Sequence, residues 1–535
     1  MTFLNNGLIS NLFSNEKTLV DEAKEQIKEA YREDPRPWVV GYSGGKDSTV
    51  VVQLVFEALA ELPSDERSKK VYVISSDTLV ETPLIINSIN TTLSRIQNKA
   101  LELELPIETH KVRPEPENSF WVNLIGKGYP SPSQNFRWCT DRLKIEPANA
   151  FVMSKVSTFG EVIMVLGVRE DESVSRGNSI REHTIKGHRF MRHSTLSNAY
   201  VYAPIRNFTL DDVWSYLLNS PSPWGDDNNE LYRLYQDSNS GECPLVIDQN
   251  IKESAGSCGN SRFGCWVCTV VTEDKALTGF IQSGHDWMKP LLDFRNWLTS
   301  IRDQRNMRMK HRMNGQIYFR DVKVIEEDEQ KFVLIPKKAA RKERKIPFEQ
   351  FEVVEKEEHR NYIAKNNIDL SSPEDHMVLF RSHEETLDGQ IVEKYAQLGL
   401  GPYTIEARKE ILTRLLAVQR TISHPDDDSY ELISEEELKE IRRVWFKQGE
   451  WNYSVPDIYQ KVYGDNASIN WEVDDLPMLD QEQVSQLSLL CQEFNVDLKV
   501  MKKLINIEKD FAGYKIRRGL NNEIGKVLQQ DYLHL

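Results

Sequence analysis

Residues 38–48 read WVVGYSGGKDS, and residues 49–60 continue as TVVVQLVFEALA. The short apolar run that opens this stretch predicts a buried β-strand, and the longer apolar run that follows it predicts a helix. Two adjacent glycines, Gly44 and Gly45, allow a tight turn between the two elements, so that backbone amides can approach an anion closely. The amino terminus of the helix also favours negative charge. The stretch therefore predicts a phosphate-binding loop.

Polar side chains of the loop suit a phosphate ligand as well. Ser43 and Ser48 supply hydroxyl donors, and Lys46 supplies a compact positive charge. The loop is too short for a Walker A motif and lacks the GxGxxG pattern of dinucleotide-binding folds. A tight turn with a helix cap that binds no ligand is the alternative.

Strands and helices alternate from residue 38 to about residue 214. Residues 71–75 and 162–168 are short apolar runs typical of buried strands, whereas residues 83–103 show helical periodicity. Buried strands separated by helices indicate crossover units in a parallel sheet. We therefore predict an α/β fold with a doubly wound, mainly parallel sheet.

The loop resembles the SGGxDS pyrophosphate loop of the PP-loop ATP pyrophosphatases, which have an adenine nucleotide alpha hydrolase-like (HUP) core and cleave ATP between its α and β phosphates. The resemblance implies that ATP is bound with Mg²⁺, that Lys46 and Asp47 are catalytic and that Asp47 helps to place the metal. It also implies adenosine contacts at Ser75 and Asp77, for which a helix N-cap is the alternative. The nucleotide-binding residues so implied in the loop are Ser43, Gly44, Gly45, Lys46, Asp47 and Ser48.

Three further segments resemble parts of the sulfonucleotide reductases. They are CTDRLKIEP at 139–147, GVREDES at 167–173 and PIRNFTLDDVW at 204–214. The resemblance implies that Arg169 and Arg176 contact a phosphate or sulfate group, with Arg169 among the catalytic residues. A surface ion pair is the alternative for either arginine.

Four cysteines form a candidate metal site. Cys258, Cys265 and Cys268 lie within GSCGNSRFGCWVC, and Cys139 lies far upstream. Spacing alone does not separate a thiolate-ligated iron–sulfur cluster from zinc. The resemblance to the iron–sulfur type of sulfonucleotide reductase implies a 4Fe–4S cluster held by these four residues. Zinc and unrelated buried thiols are alternatives, and Cys243 is an alternative fourth ligand.

Two departures distinguish this chain from a reductase. The phosphate loop is complete, and no cysteine follows Cys491 to act as a C-terminal nucleophile. A complete ATP loop beside an iron–sulfur site indicates adenylation of an acceptor oxygen followed by sulfur delivery. The combination resembles the DndC family of bacterial DNA phosphorothioate modification.

The DndC resemblance implies an ATP-dependent sulfurtransferase that activates a DNA backbone phosphate. It implies DNA as the substrate, reached through a complex with companion Dnd proteins, and a cysteine desulfurase as the sulfur donor. The alternatives are an adenylyl sulfate or phosphoadenylyl sulfate reductase, a tRNA thiolase and a non-catalytic Fe–S scaffold.

Composition limits the class of protein and its partners. The 535 residues carry a net charge of −15, are 39% apolar and contain no apolar run near the ~20 residues that a membrane-spanning helix needs. We expect a cytoplasmic protein without membrane contact. Because the acidic balance disfavours wrapping of a polyanion, we expect local DNA contacts at the basic runs 302–312 and 336–345. Solvated surface is the alternative for both runs.

The sequence also predicts how the chain is divided. Residues 1–35 form an N-terminal helical segment, and residues 36–220 form the PP-loop domain. Residues 221–290 form a cysteine-rich iron–sulfur segment, and residues 291–535 form a mostly helical extension.

Overall fold

The computed structural model describes most of the chain. The described residues are 18–134, 136–172, 181–183, 188–193, 195–238, 264–309, 311–313, 316–336, 343–359, 362, 378–385, 390–425, 427, 429–464, 469–471, 479, 481–511 and 517–529.

The chain divides into two compact units, and each unit consists of two separate stretches of the chain. One unit comprises the residues up to Glu115 together with Gln134–Leu292. The other comprises Pro116–Ser133 and the residues from Asp293 onward.

The first unit is built on a six-stranded sheet. The strands are β1 (Trp38–Gly41), β2 (Val71–Ser76), β3 (Ile107–Val112), β4 (Val162–Val165), β5 (Met191–Arg192) and β6 (Ala199–Tyr202). They lie in the order β3-β2-β1-β4-β6-β5, and only the pairing of β5 with β6 is antiparallel. The chain runs from β1 outward to β3 and then returns to the other side of β1 with β4. This order confirms the predicted doubly wound, mainly parallel α/β fold.

The longer helices of the first unit lie before, between and after the strands. They are α1 (Leu19–Glu33), α2 (Lys46–Ala60), α3 (Pro83–Glu102), α4 (Glu146–Phe159), α5 (Leu210–Asn219), α6 (Asn228–Asp237) and α7 (Lys275–Gln282). Apolar residues on one face of the sheet, among them Val39, Ile74 and Met164, pack against Val152 and Val156 of α4. β-branched side chains suit this pleated, buried surface.

A second sheet, in the second unit, was not predicted. Its strands are β7 (Phe319–Glu327), β8 (Gln330–Pro336), β9 (Glu343–Pro347), β10 (Glu352–Glu355), β11 (Val378–Glu385) and β12 (Ile391–Leu398), in the order β10-β11-β12-β7-β8-β9. The mostly helical extension therefore also contains a sheet, over residues 319–398. These strands carry many exposed charged residues, so they lack the continuous apolar run that marks a buried strand.

The rest of the extension is helical, as predicted. Its helices are α8 (Lys289–Ile301), which begins in the first unit, α9 (Ile405–Thr421), α10 (Glu435–Lys447), α11 (Ser454–Tyr463), α12 (Gln481–Glu493), α13 (Leu498–Asp510) and α14 (Leu520–Leu528). Ser434 and Glu437 form the predicted capping box at the start of α10.

Residues 116–133 belong to the second unit, although the sequence placed them within the domain 36–220. The indole nitrogen of Trp121 donates to the Leu432 carbonyl oxygen at 2.6 Å, and that of Trp445 donates to the Ile125 carbonyl oxygen at 2.7 Å. Burying two tryptophans with their polar atoms paired fixes this insertion among the C-terminal helices. Such long-range pairing leaves no periodic signal in the sequence.

None of the helices in the described part of the chain has both the length and the apolar character required to span a lipid bilayer.

Candidate functional site

The phosphate loop follows β1 and leads into α2. Gly44 has a φ of 72°, and a Cβ atom there would lie 2.7 Å from Ile89 Cγ1, so both conformation and space require glycine. The Ser43 amide donates to Ser48 Oγ at 3.2 Å, and Ser48 Oγ donates to the Gly45 carbonyl oxygen at 2.9 Å. These bonds close the loop on the amino terminus of α2, where the helix favours an anion.

Two loop residues meet an arginine from across the sheet. Asp47 Oδ1 accepts from Arg169 Nε at 2.6 Å, and Asp47 Oδ2 lies 3.2 Å from Lys46 Nζ. Lys46 and Arg169 are each only 3% exposed. Because β1 and β4 are adjacent and the chain leaves them in different directions, this cluster lies at the topological switch point, where open α/β sheets bind ligands.

The cluster has one more positive charge than negative. Burial of Asp47 would raise the pKa of its carboxyl group, but the charges of Lys46 and Arg169 outweigh burial and hold that pKa below its usual value. Asp47 therefore stays ionised at neutral pH. The excess positive charge, close to a helix amino terminus, is suited to a phosphate group.

The predicted role of Asp47 in placing Mg²⁺ stays a prediction. Its two carboxylate oxygens pair with Arg169 and Lys46, one each. Because each carboxylate oxygen has two lone pairs, a metal ion at Asp47 would share these oxygens with the two cations.

A glycine allows the two sides of the site to approach each other. A Cβ atom on Gly167 would lie 2.7 Å from the Asp47 carbonyl oxygen and 2.9 Å from the Ser48 amide nitrogen. Both are backbone atoms at the start of α2, which cannot move aside as a flexible side chain can. The segment after β4 can therefore pack on the phosphate loop only with glycine at this position.

Tyr235 in α6 also contacts the loop, and the sequence did not predict it. Its hydroxyl oxygen accepts from the Lys46 amide at 3.2 Å, and its ring centroid lies 5.3 Å from Lys46 Nζ. The residue lies 189 positions from Lys46 and belongs to no motif. Tyr232 and Tyr235, spaced three apart on one helix face, were the available sequence signal, and such a pair usually indicates core packing.

The two residues predicted to contact adenosine differ in their surroundings. Ser75 lies at the carboxyl end of β2 and is 2% exposed, and its Oγ has no hydrogen-bond partner in the described ranges. A buried, unpaired hydroxyl is costly, so this oxygen is available for a ligand. Asp77 instead accepts from the Leu79 amide at 3.0 Å and from Arg113 Nε at 2.9 Å. It stabilises the turn after β2 but is not the N-cap of α3, which is Thr82.

Three of the predicted cluster ligands lie on the first unit. Cys265 forms an isolated β-bridge with Glu81, and its Sγ lies 3.4 Å from Thr78 Oγ1. The Cys268 amide donates to the Cys265 carbonyl oxygen at 3.0 Å. Burial raises the pKa of the Cys139 thiol, and the charge of Cys268 raises it further, which places these two sulfurs near each other.

A charge pair accompanies the thiols. Lys144 Nζ lies 3.2 Å from Glu81 Oε1, and the Glu81 charge raises the pKa of the lysine. Burial raises the pKa of Cys265, and Glu81 adds to this effect, whereas Lys144 opposes it. Lys144 and Glu81 are therefore within electrostatic range of the predicted metal ligands.

The donor chemistry fits a thiolate-ligated cluster. The soft sulfur donor Cys268 is within electrostatic range of both Cys139 and Cys265. Among the residues that the structure describes, no three donors have the close spacing that a single metal ion needs. A four-iron cluster binds thiolates that are further apart than the ligands of one ion. Cys258, Cys243 and Arg176 lie outside the described residues.

The basic run 302–312 is largely structural. Arg305 donates to the carbonyl oxygens of Leu398 and Gly399, both at 2.7 Å, and Arg308 donates to the Gly401 carbonyl oxygen at 2.5 Å. Both guanidinium groups are buried, and burial lowers the pKa of Arg305 to about 10. The expectation that this run contacts DNA is wrong for these two arginines. The sequence of a basic run does not indicate which carbonyl oxygens will accept hydrogen bonds from its arginines.

Residues 37–271 match the family model of the phosphoadenosine phosphosulfate reductase domain. This part of the chain is therefore similar to the phosphoadenosine phosphosulfate reductase domain. The match covers all six strands of the first sheet and the phosphate loop. It ends just after Cys268.

One curated relative is an uncharacterized protein of Methanocaldococcus jannaschii, 28% identical over 232 residues. That match covers 43% of this chain and 39% of the relative, so the chain spans about two fifths of the relative's length.

Two solved structures show limited similarity. Phosphoadenylyl-sulfate reductase from Candida auris, in a phosphate complex, is 16% identical with a TM-score of 0.26, over 44% of this chain and 94% of that one. The U34-tRNA thiolase NcsA from Methanococcus maripaludis, with its [4Fe-4S] cluster, is 12% identical with a TM-score of 0.25, over 44% of this chain and 79% of that one.

Proposed function

We propose that this protein is an ATP-dependent sulfurtransferase of DNA phosphorothioation. In this proposal it adenylates a backbone phosphate oxygen, releases pyrophosphate and allows sulfur to replace that oxygen. The supporting observation is the cluster of Lys46, Asp47 and Arg169 on a complete phosphate loop. The same compact unit carries the thiols of Cys139, Cys265 and Cys268.

The chemical problem is that a phosphodiester oxygen is a very poor leaving group. In the first step the DNA phosphate oxygen attacks the α phosphorus of ATP, forming a new P–O bond and breaking the bond to the β phosphate. Pyrophosphate leaves, and the oxygen becomes part of a mixed anhydride with AMP. A sulfur nucleophile then attacks the DNA phosphorus, forming a P–S bond and expelling AMP.

The residues of this chain have separate tasks in that sequence. The loop amides and Lys46 bind the leaving pyrophosphate, and Arg169 stabilises charge on the transferring group. Asp47 holds both cations in place before substrate arrives, which lowers the cost of reorganisation. In this proposal the Ser75 hydroxyl, which has no hydrogen-bond partner among the described residues, binds the nucleoside.

A 4Fe–4S cluster, when bound, would supply a site for sulfur or a route for electrons. Cys139, Cys265 and Cys268 are the described residues that would hold it, together with Cys258. A persulfide sulfur from a cysteine desulfurase has to gain two electrons to remain on phosphorus as a thiolate. A thiol reductant therefore belongs in any reconstitution.

The net negative charge of the chain suggests that companion proteins supply part of the DNA affinity. With a net charge of −15, this protein is expected to bind DNA weakly alone and more tightly with companion Dnd proteins. We place this activity in the cytoplasm, where DNA, a cysteine desulfurase and ATP are available.

The proposal is tested by measuring pyrophosphate release from ATP by anaerobically purified protein. Separate reactions contain duplex DNA, tRNA or adenylyl sulfate, each with a cysteine desulfurase, cysteine and a thiol reductant. DNA is expected to stimulate release, and Lys46→Met is expected to abolish it. Stimulation by tRNA alone would identify a tRNA thiolase.

The match of residues 37–271 also favours a reductase as a second candidate. Release of sulfite from adenylyl sulfate without ATP would identify that activity. A protein that retains its cluster but turns over ATP or adenylyl sulfate with none of the acceptors would be a non-catalytic scaffold.

A further inference from the structure

Tyr235 covers the phosphate loop. Its hydroxyl oxygen occupies the Lys46 amide at 3.2 Å, on the helix turn that would otherwise present this amide to a phosphate oxygen. Gly45 has no side chain to obstruct it, and a Cβ atom there would lie 3.3 Å from the Tyr235 hydroxyl oxygen. The phenol therefore fits against the backbone of the loop.

The ring adds to this cover. The Tyr235 centroid lies 5.3 Å from Lys46 Nζ, within the range of a cation–π contact. Tyr235 is only 4% exposed and Lys46 only 3%, so the ammonium group that would bind phosphate is shielded from solvent. A triphosphate cannot reach both the Lys46 amide and the ammonium group while the phenol stays in place.

The helix that carries Tyr235 is fixed at several points. The Tyr235 ring packs on Trp214 of α5, with centroids 5.1 Å apart. Gln53 of α2 donates to Asn228 Oδ1 at 2.9 Å. At the other end of α6, a Cβ atom on Gly279 would lie 2.1 Å from the Asp237 carbonyl oxygen, so α7 packs directly on the end of α6. A displacement of Tyr235 must therefore be shared by the elements around α6.

We infer that Tyr235 gates the phosphate loop, so that a phosphate oxygen replaces the phenol oxygen at the Lys46 amide and the displacement is transmitted to α6. The inference rests on the proposed function for its physiological ligand, ATP. The helix α6 ends at Asp237, in the stretch of chain between the phosphate loop and Cys258. Occupancy of the loop is thereby linked to a helix within the cysteine-rich segment 221–290.

The test compares binding of two probes, MgATP and inorganic pyrophosphate, to the wild type and to Tyr235→Phe by calorimetry. The variant keeps the ring but removes the oxygen that competes for the Lys46 amide. Affinity for both probes is expected to rise about fivefold, because one competing hydrogen bond is lost. Tyr232→Phe is the matched control, since its ring packs on the same Trp214 from the same helix. It is expected to leave both affinities unchanged.

Hydrogen exchange supplies a second measurement. MgATP or pyrophosphate is expected to change amide exchange within residues 228–237 of the wild type, and to change it less in Tyr235→Phe. Equal or weaker binding of both probes by Tyr235→Phe would overturn the gate, even if the protein still converts ATP to AMP. Tighter pyrophosphate binding by the variant would support the gate even if ATP turnover fails. Absence of binding of both probes to both proteins would overturn the gate and the proposed function together.

Discussion

The Arg169 guanidinium, from the segment after β4, donates through Nε to Asp47 Oδ1 at 2.6 Å, on the loop after β1. The bond joins the two loops that diverge at the switch point of the sheet. It means that the loop motif and the arginine motif, 122 residues apart, form one site. The first predictions follow from this contact.

Asp47→Asn is expected to lower the free energy of unfolding by about 3 kcal/mol, because it leaves two buried cations without their counter-charge. It should also abolish ATP turnover. Asp171→Asn is the matched control: Asp171 lies 4.0 Å from Arg169 but its side chain is 68% exposed. Urea denaturation of both variants measures the difference. Equal stability of Asp47→Asn and the wild type would contradict a coupled cluster.

Gly167→Ala should separate the two halves of the site. The added methyl group would meet backbone atoms of Asp47 and Ser48, and we expect a loss of about 1–3 kcal/mol in unfolding free energy together with weaker ATP binding. Gly525→Ala is the control, because no atom lies within 4 Å of a Cβ there and its φ is ordinary. Thermal unfolding and ATP calorimetry check both. Full ATP affinity in Gly167→Ala would show that the close approach is dispensable.

The buried Lys69 predicts a dependence of stability on pH. Its ammonium group donates to the Asp34 carbonyl oxygen at 2.6 Å, and burial lowers the pKa of Lys69 to about 7. An unfolded lysine titrates near 10.4, so between about pH 7 and pH 10 the unfolded chain binds more protons than the folded one. Lys69 therefore makes the free energy of unfolding rise with pH, by at most about 1.4 kcal/mol per pH unit.

Lys69→Met removes this contribution. We expect the stability of the wild type relative to the variant to increase between pH 7 and pH 9 in urea denaturation. Lys70→Met is the control, because Lys70 is half-exposed and its pairing with Glu108 raises its pKa instead. Parallel pH profiles for the wild type and Lys69→Met would contradict the lowered pKa.

Arg308 is expected to stabilise the second unit rather than to bind nucleic acid. Arg308→Met leaves the carbonyl oxygens of Arg302, Leu400 and Gly401 without this donor, and we expect a loss of about 3 kcal/mol or more. Arg312→Met, at an exposed position with its guanidinium 4.6 Å from the Tyr318 ring centroid, should lose much less. Two variants of equal stability would show that the carbonyl contacts contribute little.

Local chemistry explains which parts of this protein could be predicted. The loop from Ser43 to Ser48 was predictable because a strand, two glycines and a helix are encoded within a few residues. The position of Arg169 next to Asp47 depends on strand order, which the sequence analysis did not predict.

Other features depend on contacts that no local pattern encodes. Tyr235 reaches the loop only because α6 packs on α5 and α2, and Arg305 is buried only because carbonyl oxygens from residues 398–399 meet it. The charged strands of the second sheet obscure the apolar alternation by which strands are predicted. The predicted contacts of Ser75 and the identity of the fourth cluster ligand stay predictions.

The central claim is that the phosphate loop binds ATP for cleavage between the α and β phosphates. Incubation of the anaerobically purified protein with ATP labelled in the α phosphate, in the presence of DNA and the sulfur donor, tests it most directly. The account predicts labelled AMP and unlabelled pyrophosphate from the wild type, and neither from Lys46→Met. Labelled ADP, or AMP formation that persists in Lys46→Met, would contradict it.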